Sequence, residues 1–364
     1  MKLFYPEIFD EFVCTGSQCS DNCCMTDWDI EIDEDTYGFY KKLDNDIGRK
    51  FVNSVTEDEG VKYLVHCDGK CPMLNEKGLC SVQLAYGEDN ISDICREHPR
   101  FYEWFGDYKE AGVGLACEEA VRMYLSDDEP VRFFTKEIDE EPDDLEFDPK
   151  LLETMLFART AFIDLLQNRE YSLHDRLVDV LSASSEIQYA LDEEDTEEIK
   201  AIAQELSHPE IFAERVESLK KALPEKPLEN MLLYLERLDF IGDILPQQIK
   251  DASRFVKKLS APLKAQTSGE YEKLAVYFVY RYFLKAVRDF DLLSKIKAMI
   301  VFVFAAEVIN LSREQDAPAR FETVKELCKE IEYSGDNMDR IYDDSYLSDI
   351  FSDISMLALL EWTL

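Results

Sequence analysis

At 364 residues the chain is long enough to bury a sizeable core without covalent staples, and it leaves room for two or three domains. Thirteen glycines and twelve prolines are few for this length and lean towards helix. A formal net charge of −37 excludes a nucleic-acid backbone as partner, because neutralising phosphates needs clustered Lys and Arg. The same charge suits a solvated acidic surface, and it admits a basic partner or a lysine-bearing substrate.

The chain opens with MKLFYPEIFDEF. Glu7 arrives early and no apolar run follows, so this is not read as a secretory signal. The longest uncharged apolar run, Ala298 to Ala306, is too short to span a bilayer. The expected location is the cytoplasm, away from membranes. Thiols stay reduced there, which disfavours stable disulfides.

Nine of the ten cysteines fall between Cys14 and Cys117. This asymmetry divides the chain into a cysteine-rich part (1–125), an acidic linker (126–149) and a helical part (150–364). The fold class expected is mainly α, with a loop-rich metal-binding N-terminal domain. In the first part, Trp28, Ile30 and Ile32 alternate as an extended segment would. DEDTYGFYKKL, from Asp33, reads as a capped helix start. Turn signals stand at CDGKCP and NEKGLC. Gly112-Val-Gly114 lacks the third glycine of a dinucleotide fingerprint and is read as a turn before a helix.

SDDEPVRFFTKEIDEEPDDLEFDP, from Ser126 to Pro149, marks the boundary. Beyond it Asp148 is placed to cap a helix with Pro149 at its first position. Leu151, Leu152, Met155, Leu156, Phe162, Ile163 and Leu166 follow at helical spacing. SLHD, from Ser172, resembles a capping box. Further helices are predicted over Thr196–Leu206, Glu210–Leu223 and Leu228–Ile241. Two long apolar helices follow in YEKLAVYFVYRYFLKAV and SKIKAMIVFVFAAEVINL. Phe321, Val324, Leu327, Cys328 and Ile331 form a last apolar stripe, on which Cys328 reads as a small core hydrophobe.

The remaining thiols need an explanation. Their pattern is Cys14-x4-Cys19-x3-Cys23-Cys24, then Cys71-x8-Cys80-x14-Cys95, then Cys117. No CxxC occurs, which disfavours a thioredoxin-like couple, and a lone nucleophile would leave its companions idle. Thr26 stands where the third cysteine of a radical S-adenosylmethionine enzyme would be. Metal binding leads, with zinc and an iron–sulfur cluster not separable by spacing. Either would supply folding energy; structural zinc in small peptides contributes roughly 10–16 kcal/mol. Cys67 is the weakest ligand candidate. His66 and His98 could each be a ligand, a base or ordinary surface, and ordinary surface is the simplest reading for both.

FVCTGSQCSDNCCMTDWDIEID resembles the opening of the flagellin lysine-N-methylases, a bacterial family. GKCPMLNEKGLCSVQLAYGEDNISDICREHPR is similar to that family's second block, and GLACEEAVRMYL to its third. LLQNREYSLHDRL and CKEIEYSGDNM look like its helical half. Three departures stand out. His98 replaces a common Tyr before Pro-Arg, Glu118 follows Cys117 where Pro is usual, and Cys67 has no counterpart. The resemblance implies methyl transfer from S-adenosylmethionine to surface lysines of flagellin or another lysine-bearing protein. It also implies a cysteine-bound iron–sulfur cluster, of the 4Fe-4S type, with zinc as the alternative. The implied ligands are Cys14, Cys19, Cys23, Cys24, Cys71, Cys80, Cys95 and Cys117. A non-catalytic metal-binding adaptor or chaperone is the rival reading, and a cysteine redox sensor the third.

Lysine methylation sets a physical requirement. The amine must be neutral, and at pH 7 only about one in a few thousand is, a cost of roughly 4.6 kcal/mol. A partly apolar, aromatic site lowers that cost, whereas a lone carboxylate would raise it. Tyr86, Glu88, Trp104 and Tyr108 lie in the right region; packing around the metal domain is the simpler role for them.

Overall fold

Helices make up most of the chain in the computed structural model, and their boundaries follow local chemistry. The structure describes all residues except 27, 29, 67–68, 143–146, 207–223, 225, 260–267, 314–315 and 363–364. The segment Glu210–Leu223 and Cys67 therefore lie outside the described residues. Asp148 caps the helix Pro149–Leu166 by accepting from the Lys150 amide, with Pro149 in its first turn. Ser172 caps Leu173–Asp192 by accepting from the Asp175 amide. Asp33 caps Glu34–Lys41 and Asp195 caps Thr196–Glu205. Each cap supplies an acceptor for amides that the first helical turn leaves without one.

Two apolar helices form the centre. Ser268–Tyr282 packs along Leu293–Arg313, where every side chain from Ser294 to Asn310 is buried. Around them stand Pro149–Leu166, Leu173–Asp192, Pro227–Leu235, Ile244–Val256, Ala317–Leu327 and Gly335–Leu347. The helix read as starting at Leu228 stops at Leu235 rather than Ile241. YEKLAVYFVYRYFLKAV does not continue as one helix. It tightens into a 3-10 turn at Phe283–Lys285 before a short helix, Ala286–Asp289, that ends at Phe290 in the left-handed conformation. No described helix is long and apolar enough to cross a membrane.

The cysteine-rich part holds more strand than its sequence suggested. Strands β1 (Lys2–Pro6), β5 (Arg100–Phe105), β6 (Tyr108–Val113) and β7 (Phe133–Glu137) form one sheet in the order β5-β6-β1-β7. β1 runs parallel to β6 with Leu3 opposite Lys109, and antiparallel to β7. Strands β2 (Ile30–Glu31), β3 (Val55–Asp58) and β4 (Val61–Leu64) make a second, small sheet. β7 lies within the acidic segment 126–149, so that segment contributes an edge strand. Gly112 is in β6, not in a turn. A Cβ there would meet the Phe101 ring at 2.2 Å, so the glycine is required by close packing.

One apolar core runs through both parts, joining Ile8, Phe12, Phe105, Leu115 and Val121 to the helical residues. A second, small core around Tyr40, Phe51 and Met73 supports the cysteine loops. Buried ion pairs fix the seam. Arg159 Nη1 donates to Glu110 Oε2 at 2.7 Å, tying Pro149–Leu166 to β6. Arg176 Nη1 donates to Glu272 at 2.7 Å, joining Leu173–Asp192 to Ser268–Tyr282. Cys328 is fully buried, in the core role read from its stripe.

Asp179, 2 % exposed, is pushed up to about 7 by burial and then by the nearby Asp175 charge. The folded protein thus holds a proton that the unfolded chain releases near pH 4. This contribution to stability is present below the unfolded value and is lost as pH rises towards 7. Asp179→Asn is expected to raise stability at pH 8 relative to pH 5 by about 1–3 kcal/mol. Urea unfolding of both proteins at the two pH values checks this.

Candidate functional site: thiol loops and a buried seam

Most of the eight implied ligands sit on loops and at the starts of short helices, and Cys95 lies within the short helix Asp93–Glu97. Cys23 and Cys24 open a 3-10 turn, Cys23–Met25, whose Asn22 cap accepts from the Cys24 amide. Cys80 precedes the helix Ser81–Tyr86, and Cys117 precedes Glu118–Leu125. Backbone bonds bring the loops together. The Cys71 amide donates to the Cys24 carbonyl at 2.8 Å, and Leu74 bridges Cys80. On the other side, Glu118 Oε2 accepts from the Ser20 amide at 2.9 Å, the Ser20 hydroxyl at 2.7 Å and the Asp21 amide at 3.1 Å. That clamp holds the Cys19 loop beside Cys117. The Thr15 hydroxyl and Cys19 Sγ lie 3.0 Å apart.

The thiols feel one another. Burial, and then neighbouring thiols among other groups, push Cys71 up to about 11 and Cys95 up to about 12. Cys117 is pushed up to about 11 by burial, with Cys19 and Cys23 as its nearby thiols. Cys24 is raised by its hydrogen bond with Cys23, by burial, and by the charges of Cys23, Cys71 and Cys95. Cys23 is lowered, first by the same Cys24 contact. Among the described residues no three His, Cys, Asp or Glu side chains converge tightly enough to hold a metal ion. Cys24, Cys71, Cys95 and Cys117 are all raised and therefore protonated at neutral pH; thiols are soft donors, and a soft metal would bind them by displacing those protons. The structure thus brings the eight into one region without closing a coordination shell.

The loops are fastened to the helical part by charge. Asp21 Oδ2 accepts from Lys325 Nζ and Lys329 Nζ, each at 2.7 Å. Lys325 is almost fully buried and also meets Glu322 and Glu326.

Behind this seam lies a buried knot. Ala317–Leu327 continues into a single π-helical turn, Cys328–Glu332, which carries Glu332 inward. Such turns insert a residue into the helical ladder and recur at functional positions. Glu332 Oε1 accepts from Tyr277 at 2.7 Å and Tyr282 at 2.9 Å, and pairs with Arg281 Nη1 at 2.8 Å. Arg281 also bonds the Tyr277 hydroxyl and stacks over Phe101, 4.3 Å from its ring centre. Burial and the Glu332 charge hold all three tyrosines, Tyr277, Tyr282 and Tyr333, above their ordinary values. Sequence reading passed over these residues. The available signal was Arg281 alone inside an apolar helical run, and the acid–tyrosine pair Glu332-Tyr333 four residues after Cys328.

His98 is not ordinary surface. Burial depresses its imidazole to about 4, so it is neutral at pH 7. It meets Trp28 edge-on with ring centres 5.4 Å apart, and Trp28 stacks on Tyr333 at 5.7 Å and 20°. His66 is partly buried, next to a residue outside the described set. The four other candidates have structural roles. Tyr86 packs on Phe39 and Tyr40 and accepts from Asn45. Glu88 accepts from Gln83. The Trp104 ring lies under Lys109 Nζ at 4.5 Å. Tyr108 donates to Glu110 at 2.6 Å.

A mainly helical protein with a thiol-rich head and a buried charged seam is the class that these features define. Residues 159–359 match the model of the FliB lysine N-methylase C-terminal domain, and the chain belongs to that family. It is similar to the "Flagellar biosynthetic protein FliU" of Salmonella muenchen, 33 % identical over 132 residues, covering 34 % of this chain and 76 % of that protein. It is also similar to the "Lysine-N-methylase" of Salmonella typhimurium, 27 % identical over 144 residues, or 36 % of this chain and 35 % of that protein. The chain thus spans about a third of that lysine-N-methylase. The counterpart from Salmonella choleraesuis matches to the same extent. No solved structure matches the chain.

Removing the Glu332 charge leaves Arg281 buried without its partner. Breaking a buried pair in this way costs about 3–5 kcal/mol. Glu332→Gln is expected to lose stability on that scale in chemical unfolding, while Glu88→Gln, at an exposed bond, changes it by under about 1 kcal/mol.

Proposed function

We propose that the protein is an S-adenosylmethionine-dependent protein-lysine N-methyltransferase that acts in the cytoplasm on flagellin or another lysine-bearing protein. The observation that carries this reading is the match of residues 159–359 to the lysine N-methylase family. The net charge of −37 supports a lysine-bearing partner. In the reaction the lysine nitrogen lone pair forms a bond to the methyl carbon. The carbon–sulfur bond breaks and its electron pair leaves with sulfur. The methylated ammonium then sheds a proton to water.

Cys14, Cys19, Cys23, Cys24, Cys71, Cys80, Cys95 and Cys117 are the residues that would hold an iron–sulfur cluster, with zinc as the alternative. When bound, the metal supplies positive charge that stabilises the thiolates and binding energy that orders their loops. The chain's own residues do the rest. The Glu118 clamp and the Asp21–Lys325 and Asp21–Lys329 pairs orient the loops against the helical part.

Anaerobic purification followed by iron, sulfide and zinc analysis tests the metal. Cys24→Ser and Cys95→Ser are expected to lower the bound metal at least several-fold, and Cys328→Ala to leave it unchanged. Incubation of the metal-loaded protein with flagellin and a labelled methyl donor tests the reaction, and methylated lysines are the expected product. Bound metal with a folded chain and no labelled lysine would instead favour the non-catalytic adaptor.

A further inference from the structure

Three exposed aromatic side chains and a leucine gather where three segments of the helical part meet. Tyr189, on the last turn of Leu173–Asp192, is 72 % exposed; Phe290 is 46 %, Tyr346 54 % and Leu347 81 % exposed. Hydrogen bonds hold their segments together. Gln188 is buried and donates to the Phe290 carbonyl and to Asp192 Oδ1, each at 2.8 Å. Its Oε1 accepts from the Leu292 amide at 2.7 Å and the Leu293 amide at 3.0 Å. The Tyr346 hydroxyl donates to Asp291 Oδ1 at 2.6 Å, which closes the end of Gly335–Leu347 onto the same loop. That hydroxyl is held above its ordinary value by burial, by Asp291 and then by Asp192, so Asp192 stands near it. Tyr189 precedes Asp192 by three residues and shares its face of the helix.

Two further observations single out this patch. Phe290 has φ +56°, a conformation that glycine or asparagine adopts more easily than a bulky side chain. Its ring is half exposed, so core packing does not account for an aromatic residue there. The rim is acidic: Asp192, Glu193, Glu194, Asp289 and Asp343 are all exposed. The nearby cations are already engaged. Lys295 is buried and pairs with Asp289 at 2.8 Å and Asp291 at 3.6 Å, and Arg288 turns to Glu103 and the Trp104 carbonyl.

We propose that Tyr189, Phe290, Tyr346 and Leu347 form the docking surface for the methyl-accepting protein, and that this surface takes a segment bearing lysine or arginine around an apolar contact. The assignment rests on the lysine N-methylase reading and names the surface that recognises its protein substrate. Charge selects the occupant. Aromatic faces and carboxylates both attract ammonium and guanidinium groups. A second copy of the chain, at net charge −37, would set the same acids against these. Anionic lipid and nucleic acid are repelled in the same way. Aromatic anchors within a polar, charged rim are the distribution that protein interfaces use.

The test is calorimetric titration of the whole, metal-loaded chain without methyl donor, with monomeric flagellin as the probe. Phe290→Gly combined with Leu347→Ser is expected to weaken binding about tenfold or more. Both side chains are exposed and glycine suits the positive φ, so the melting temperature should hold; Tyr189→Ser serves if it does not. Asp343→Lys combined with Glu193→Lys is expected to weaken binding about fivefold and to flatten its dependence on salt. Ile241→Ser should leave binding unchanged, since that exposed residue lies by Asp239, which bonds Asn337 at the opposite end of Gly335–Leu347. No binding of flagellin, equal binding by the patch variants, or a self-association that those variants abolish would overturn the proposal. Methyl transfer to flagellin is measured separately. Its failure alongside patch-dependent binding would refute the methylase reading and not the docking surface. Transfer and binding that the patch variants leave intact would refute the docking surface and not the methylase reading.

Discussion

The Glu332 carboxylate is the point on which the molecule turns. Buried in the interior, it accepts from Tyr277 and Tyr282 and pairs with Arg281. All three contacts fall on Oε1, while Oε2 is buried without a hydrogen-bond partner among the described residues, so the charge depends on Arg281 and the two tyrosines to be tolerated there. The partners come from the central helix Ser268–Tyr282, and the carboxylate comes from the π-helical turn after Ala317–Leu327. The Tyr277 hydroxyl in turn receives the Leu115 amide at 3.4 Å, just beyond β6. One carboxylate therefore sets the spacing between the helical core and the strand that leads to Cys117.

From that knot the rest of the arrangement follows. Arg281 is held flat against Phe101, and Phe101 packs over Gly112. Tyr333, next to Glu332, projects towards Gly114 and Trp28. The helix that enters the π-helical turn presents Lys325, and the turn itself Lys329, to Asp21 within the first cysteine block. The thiol loops are therefore anchored at both ends of one short stretch, residues 325–333.

Much of this was legible in the sequence, because it rests on local chemistry. Asp148 with Pro149, Ser172 with Asp175, and Asp33 with Thr36 each mark a helix start that the structure keeps. Cys328 on an apolar stripe is a core residue, as its spacing indicated. The resemblance carried by the cysteine blocks led to the family to which the chain belongs. What was not legible depends on pairings distant along the chain. β1 is a central strand only because β6 and β7, more than a hundred residues later, flank it. Gly112 and Gly114 looked like a turn because nothing local reveals that Phe101 and Tyr333 press on them. His98 looked like surface because its aromatic neighbours are 70 residues before it and 235 after it. The π-helical turn has no periodic signature in one five-residue stretch, so the inward turn of Glu332 was invisible.

Hydrogen exchange of the folded protein, with and without Glu332→Gln, tests most directly whether this carboxylate fastens the two parts together. The prediction is a joint loss of protection in Ser268–Tyr282, in Cys328–Glu332 and in the cysteine loops that include Cys24, Cys95 and Cys117. Loss confined to the immediate neighbours of residue 332, with the cysteine loops exchanging as before, would contradict it.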